Sequence, residues 1–129
     1  DSSLVMHAAC NGSSHSVGTG LLSIREGADK SDAGQVFRNL LLSEKARAEA
    51  IPELEVLADD VKAAHGAASA PIDSNQLHYL QSRGLSGDEA TALIVEGFLM
   101  DAFRDVKNEA VIAALRTRLL VHLECLING

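Results

Sequence analysis

The sequence predicts a mainly β first part followed by an α-helical second part, and three observations carry that division. Residues 1–71 are built of short apolar or alternating runs, such as "SLVMHAA", "VGTGLLSI" and "GQVFRNLLL", punctuated by glycines at 12, 18, 20, 27, 34 and 66. Runs of this kind, bounded by Gly, Ser and Asn, are the pattern of strands joined by turns. No helix-length pattern separates one run from the next. That excludes β-α-β units and leaves an all-β stack, a sandwich or a β-solenoid. From residue 72 the apolar spacing changes to three and four, after a small-residue boundary, "AAHGAASAPID", around Pro71.

In chain order, "LLSIREGADK" reads as a strand running into a turn. In "PELEVLADD", Leu54, Val56 and Ala58 share one face, and Glu53, Glu55 and Leu57 the other. "SEKARAEAIPE" is rich in good helix formers, but Pro52 would end a helix early, so strand is the reading taken. "DSNQLHYLQSRG" is a helix with Asp73 or Ser74 as N-cap and Gly84 just past its end. Ser86 and Glu89 form a capping box that opens a second helix. Leu93, Phe98, Met100, Ala102 and Phe103 give that helix its apolar face. A third helix runs from Glu109 to Leu126 on Ile112, Leu115, Leu119, Leu123 and Leu126. Leu77, Leu80, Leu93 and Phe98 are read as core.

Composition narrows the function classes. A chain of 129 residues, 47% of them apolar, is enough for one ordinary domain with a core. The formal net charge of −7 repels phosphate backbones, and one Tyr, three Phe and no Trp leave little to stack on bases, so nucleic acid is not an expected partner. No apolar run is long enough for a membrane span. No basic-then-apolar leader opens the chain, and the start "DSSLVMHAAC" reads as a piece of something longer. Cys10 and Cys125, at opposite ends, are read as reduced thiols in a cytosolic setting.

The chemistry-bearing residues are sparse. His7, Cys10 and His15 are donors suited to zinc or iron. A structural site needs a fourth ligand, however, and on one strand His7 and Cys10 point to opposite faces. One packed thiol and two surface histidines is the simpler account. Asp59 and Asp60 are adjacent carboxylates, read as the solvated end of a strand rather than an acid–base pair. His78 and His122 lie on helices without triad partners. No nucleophile elbow, phosphate-binding loop or dinucleotide fingerprint is present, so no enzyme is expected.

Longer motifs reach further. "RNLLLSEKARAEAIPELEVLADDVKAAHGA" (38–67) closely resembles the C-terminal part of the SufB/SufD family, scaffold proteins of the SUF iron–sulfur cluster assembly machinery. "DSNQLHYLQSRGLSGDEA" is similar to the family's "D-x-x-Q-L-x-Y-L-x-S-R-G-[LI]-x-x-x-E-A", through Asp73, Gln76, Leu77, Tyr79, Leu80, Ser82, Arg83, Gly84, Leu85, Glu89 and Ala90. "GADKSDA" (27–33) resembles the turn "G-A-x-K-T-D-A", and "HAACNGSS" (7–14) the run "H-x-A-P-N-T-T-S". Around the histidine the SufB form is "G-H-E-A" and the SufD form "V-K-C-S-H-G-A". This chain has "VKAAHGA", with Gly66 after His65, and is SufD-like. It departs in two ways: Ala63 stands where the family has Cys, and the stretch from His15 to Leu21 is shorter than the family pattern.

The resemblance implies a right-handed parallel β-helix over residues 1–71 and a C-terminal helical domain of about three helices over 72–129. It implies a scaffold subunit, not an enzyme, that pairs with a SufB-like subunit through the β-helix and docks a SufC-like ABC ATPase through the helices. Tyr79, Arg83, Gly84, Leu85 and Glu89 are the docking candidates. ATP-driven closure of two ATPase copies would strain the seam where a nascent cluster forms. His65 is the candidate iron ligand there; the competing reading is a histidine that packs at the seam. No stably bound cofactor is implied, only a transient iron–sulfur cluster shared with SufB. The setting implied is bacterial cytoplasm or plastid stroma. Two other classes stay open: a protein-interaction β-solenoid without a metal role, and a metal- or cluster-binding protein using His7, Cys10 and His65. A stack cut between layers is expected to dimerise through its exposed edges.

Overall fold

A computed structural model describes residues 1–128, with side chains through Glu124. Cys125, Leu126 and Gly129, which the sequence reading assigned to the last helical turn and chain end, lie outside the described side chains. Five strands come first: β1 (Ser2–Cys10), β2 (His15–Ile24), β3 (Asp32–Leu41), β4 (Arg47–Val56) and β5 (Lys62–Pro71). Successive strands alternate between two parallel sheets, one ordered β1-β3-β5 and the other β2-β4. Ser2 pairs with Ala33, His15 with Arg47 and Asp32 with Lys62, so one layer advances about thirty residues. The stretch "SEKARAEAIP" is turn and strand, as read, and Pro52 sits in β4, where a strand paired on one side tolerates the missing donor. His15–Leu21 lies within a full ten-residue strand.

The layers also stack at their corners. The amide of Leu42 donates to the Cys10 carbonyl at 2.8 Å, Arg47 to Ser14 at 2.9 Å, and Leu57 to Ile24 at 2.8 Å. At the other corner Lys30 and Asp60 both take left-handed backbone, with φ of 63° and 50°. The Lys30 amide donates to the Asp60 carbonyl at 2.8 Å. These two residues occupy the same place in consecutive layers, in "ADKS" and "ADDV". Asp59 and Asp60 are therefore turn residues, not a strand end. Their backbone is fixed by the turn and their side chains are exposed.

The space between the sheets is filled mainly by β3. Phe37 (2% exposed) and Gln35 (1%) point inward against β2, which offers only Gly18 and Gly20 there. Burying Phe37 contributes about 2–3 kcal/mol. Gln35 is a polar group in an apolar layer, and its amide donates to the Glu53 carbonyl at 2.7 Å, which removes most of the burial cost. Cys10, Ile24 and Ala33 complete this interior.

Three helices follow: α1 (Ser74–Ser82), α2 (Gly87–Met100) and α3 (Glu109–Asn128), with a single 3-10 turn, Asp101–Phe103, after α2. The Asp73 carboxylate accepts from the Asn75 amide at 2.8 Å at the start of α1, and Asn108 caps α3 by accepting from Ala110 and Val111. These helices cover part of the outer face of the three-stranded sheet. Leu40 of β3 meets Val95 and Leu123, with Ala9, Ile72, Ile94, Phe98 and Leu119 around them. His7 clips the two parts together: its Nδ1 donates to the Phe98 carbonyl at 2.7 Å, and its ring stacks on Phe98 at 4.8 Å. Ile112, Leu115, Leu119 and Leu123 face inward on α3, as their spacing predicts. Leu93 does not belong to the core; it is 48% exposed.

Candidate functional site

Two places combine exposed chemistry with a fixed backbone. The first is the corner between α1 and α2. Helix α1 ends because Gly84 takes φ of 101°, a conformation that a side chain disfavours. The Arg83 and Gly84 amides close the last turn onto Leu80 and Gln81 at 3.1 and 3.0 Å. Two residues on, the Ser86 hydroxyl accepts from the Glu89 amide at 3.2 Å, while the Glu89 carboxylate accepts from the Ser86 amide at 2.8 Å. The Ser86 amide first, and the Ser86 hydroxyl beside it, hold the Glu89 carboxyl below its ordinary value of 4.5. Gly84 and Glu89 are thus occupied with shaping the corner.

Tyr79 and Arg83 are what the corner presents. Tyr79 is 57% exposed, and the Arg83 guanidinium lies over its ring, 5.0 Å from the centroid. That is cation–π geometry. Leu85 is half-buried beside them. Next to the corner lies an open groove of about 820 Å³ between α1, α2 and the ends of β3 and β5, lined by Leu40, Tyr79, Leu80, Leu93 and Phe98, with Asp73 and Asp101 among its polar lining. Sequence reasoning named Tyr79 but missed the groove. Its signal was Leu93, an apolar residue on α2 that stays exposed and lines the groove.

The second place is the inner face of β5. In the parallel register Gln35, Phe37 and Asn39 of β3 pair with His65, Ala67 and Ser69. Paired residues point to the same side. On β3 that row is buried; on β5 His65, Ala67 and Ser69 are exposed, because the opposing sheet has two strands to this sheet's three. Asn39 reaches across to donate to Ser69 Oγ at 3.1 Å. Ala63 lies on the same face as His65, two residues before it. A thiol at that position would stand about 7 Å along the strand from the imidazole; here the position carries a methyl group.

The remaining candidates do not converge. His7 is on the outer face of β1 against Phe98, Cys10 is buried on the inner face, and His15 lies on the opposite sheet with its Nε2 3.1 Å from Glu49. Among the described residues no group of three or more His, Cys, Asp or Glu side chains is placed to hold a metal ion. His7, Cys10 and His65 are not brought together: His7 faces outward, while Cys10 and His65 share the inner face of one sheet but stand on β1 and β5 with β3 between them. His78 and His122 are exposed on their helices. No helix among the described residues is long and apolar enough to cross a membrane.

The family model described as SUF system FeS cluster assembly, SufBD core domain, matches residues 1–98, the strands together with α1 and most of α2. The iron–sulfur cluster assembly protein SufD of Bacillus subtilis is 40% identical over 108 residues, 84% of this chain and 25% of that protein. SufD of Escherichia coli is 39% identical over 89 residues, 67% of this chain and 21% of the relative. A SufBD family protein of Synechocystis is 34% identical over 107 residues, 83% of the chain and 23% of the relative. The chain thus spans about a quarter of the length of these relatives. With two parallel sheets stacked in layers, the "VKAAHGA" strand at their end and a family model matching 98 residues, the chain belongs to the SufBD family of the SUF system.

Proposed function

We propose that this chain is the C-terminal portion of a SufD-like scaffold subunit in iron–sulfur cluster assembly. On this reading its strands are the last layers of a right-handed parallel β-helix, and it catalyses no reaction of its own. Support for the β-helix comes from the strict alternation of strands between two parallel sheets and the constant advance per layer. The inner face of β5 then meets a SufB-like subunit, and the α1–α2 corner and groove receive a SufC-like ATPase. Tyr79, Arg83 and Leu85 make that contact, while Gly84 and Glu89 hold its shape. The nascent cluster is cargo at the seam, and no cofactor stays bound to this chain. Bacterial cytoplasm or plastid stroma is the compartment such a complex requires.

The observation that carries this reading is the exposure of His65 on a face that is interior in the preceding layer. A neutral imidazole there is a fair iron ligand, and with Ala63 in place of a thiol any sulfur ligand must come from the partner. Anaerobic reconstitution with iron and sulfide tests it, with the chain alone and with SufB and SufC. Assembly only in the complex, lowered by His65→Ala, supports the proposal. Unchanged assembly by His65→Ala leaves a scaffold whose histidine merely packs. Cluster binding by the chain alone would establish the metal-binding alternative instead.

A further inference from the structure

The outer face of the β2–β4 sheet is a third surface, on the side of the strand stack away from the helices that cover Leu40. We propose that it docks a basic amphipathic segment of a protein partner, one that alternates aliphatic side chains with Lys or Arg. The outward row of β2 is His15, Val17, Thr19, Leu21 and Ser23, and that of β4 is Arg47, Glu49, Ile51, Glu53 and Glu55, three carboxylates to one guanidinium. The register sets Val17 beside Glu49, Thr19 beside Ile51 and Leu21 beside Glu53. Aliphatic and acidic positions therefore interleave in two dimensions.

A sheet face turned to water ordinarily carries polar side chains. This one exposes Val17, Ile51 and Leu21, the last at 62%. On the other sheet the equivalent outward Leu40 is buried under α2 and α3. The carboxylates decide the occupant. His15 is 3.1 Å from Glu49, and Ser23 donates to Glu55 at 2.8 Å, but Glu53 has no side-chain partner among the described residues. Nucleic acid and anionic lipid are repelled by such a face. A second copy using the same face would set Glu49, Glu53 and Glu55 against themselves. A segment with Lys or Arg between aliphatic residues satisfies both components at once. This inference does not depend on where the ATPase docks.

The test is a titration of the isotope-labelled chain with a synthetic peptide of alternating lysine and leucine, against a glutamate–leucine control, followed by NMR and fluorescence anisotropy. Binding of the lysine peptide alone is expected, with shifts confined to residues 15–24 and 47–56. Leu21→Ser and Glu53→Lys should each weaken it about tenfold, the size of one good interfacial contact. Both residues are exposed, so an unchanged thermal midpoint checks folding. Glu124→Lys, the same charge change on α3, should leave affinity unchanged. Equal loss with Glu124→Lys, shifts spread over the whole surface, no binding, or self-association through this face would each overturn the proposal.

Discussion

Gly20→Ala is expected to destabilise the chain although it adds one methyl group. A Cβ at Gly20 would stand 2.9 Å from Gln35 Oε1 and 2.9 Å from Phe37 Cζ. Neither neighbour yields easily: Phe37 is buried, and Gln35 is tied to the Glu53 carbonyl. Overpacking of this kind costs about 1–3 kcal/mol, offset by about 0.4–1 kcal/mol because alanine restricts the unfolded chain. The net loss is about 1–2 kcal/mol, which lowers the thermal midpoint of a chain this size by roughly 4–7 °C. At Gly66 a Cβ meets nothing within 4 Å, so Gly66→Ala should be neutral or slightly stabilising. Gly18→Ala, with its nearest atom at 3.3 Å, should fall between them. Phe37→Leu, which removes the offending ring atom, should make Gly20→Ala cheaper in a double-mutant cycle, with a coupling of about 0.5–3 kcal/mol. Thermal and urea denaturation followed by circular dichroism measure all four. Equal midpoints for Gly20→Ala and Gly66→Ala would refute the packing of β2 directly onto Phe37.

Four further outcomes follow from the α2 cap, the His7 clip and the strand edges. Ser86→Ala removes the cap of α2 and should cost about 1 kcal/mol in urea unfolding; in that variant NMR titration should find the Glu89 carboxyl raised toward its ordinary value. Because Glu89 titrates below 4.5 in the folded chain, its capping bond stabilises fully above that pH and is lost as pH falls through the lowered value; Glu89→Gln should abolish that part of the acid profile. His7→Ala leaves the Phe98 carbonyl without its donor and should cost about 1–3 kcal/mol, with hydrogen exchange in α2 accelerating more than in β3. If the free edges of β1 and β5 pair, light scattering at high concentration should give a dimer; a strict monomer contradicts that expectation.

The division into strands and helices was legible because turn glycines and apolar spacing are local signals. The caps at Asp73 and Ser86 and the stop at Gly84 were read correctly for the same reason. The alternation of strands between two sheets was not legible from any single run. Its trace was a repeat of "ADKS" and "ADDV" about thirty residues apart, which is visible only when distant segments are compared. Asp59 and Asp60 were misplaced as a strand end because a left-handed aspartate leaves no hydrophobic mark. Leu93 was misread as core because periodicity identifies an apolar face but not what covers it. That His7 and Cys10 point to opposite faces followed from strand parity alone, whereas which of them faces inward, and the role of His7 as a clip, needed the structure.

Docking of a SufC-like ATPase on the α1–α2 corner is the claim on which the functional account rests. Isothermal titration of this chain with that ATPase tests it most directly. The account predicts a one-to-one complex that Tyr79→Ala and Arg83→Glu weaken while His65→Ala leaves it intact. The absence of binding, or binding that ignores Tyr79 and Arg83, would contradict it.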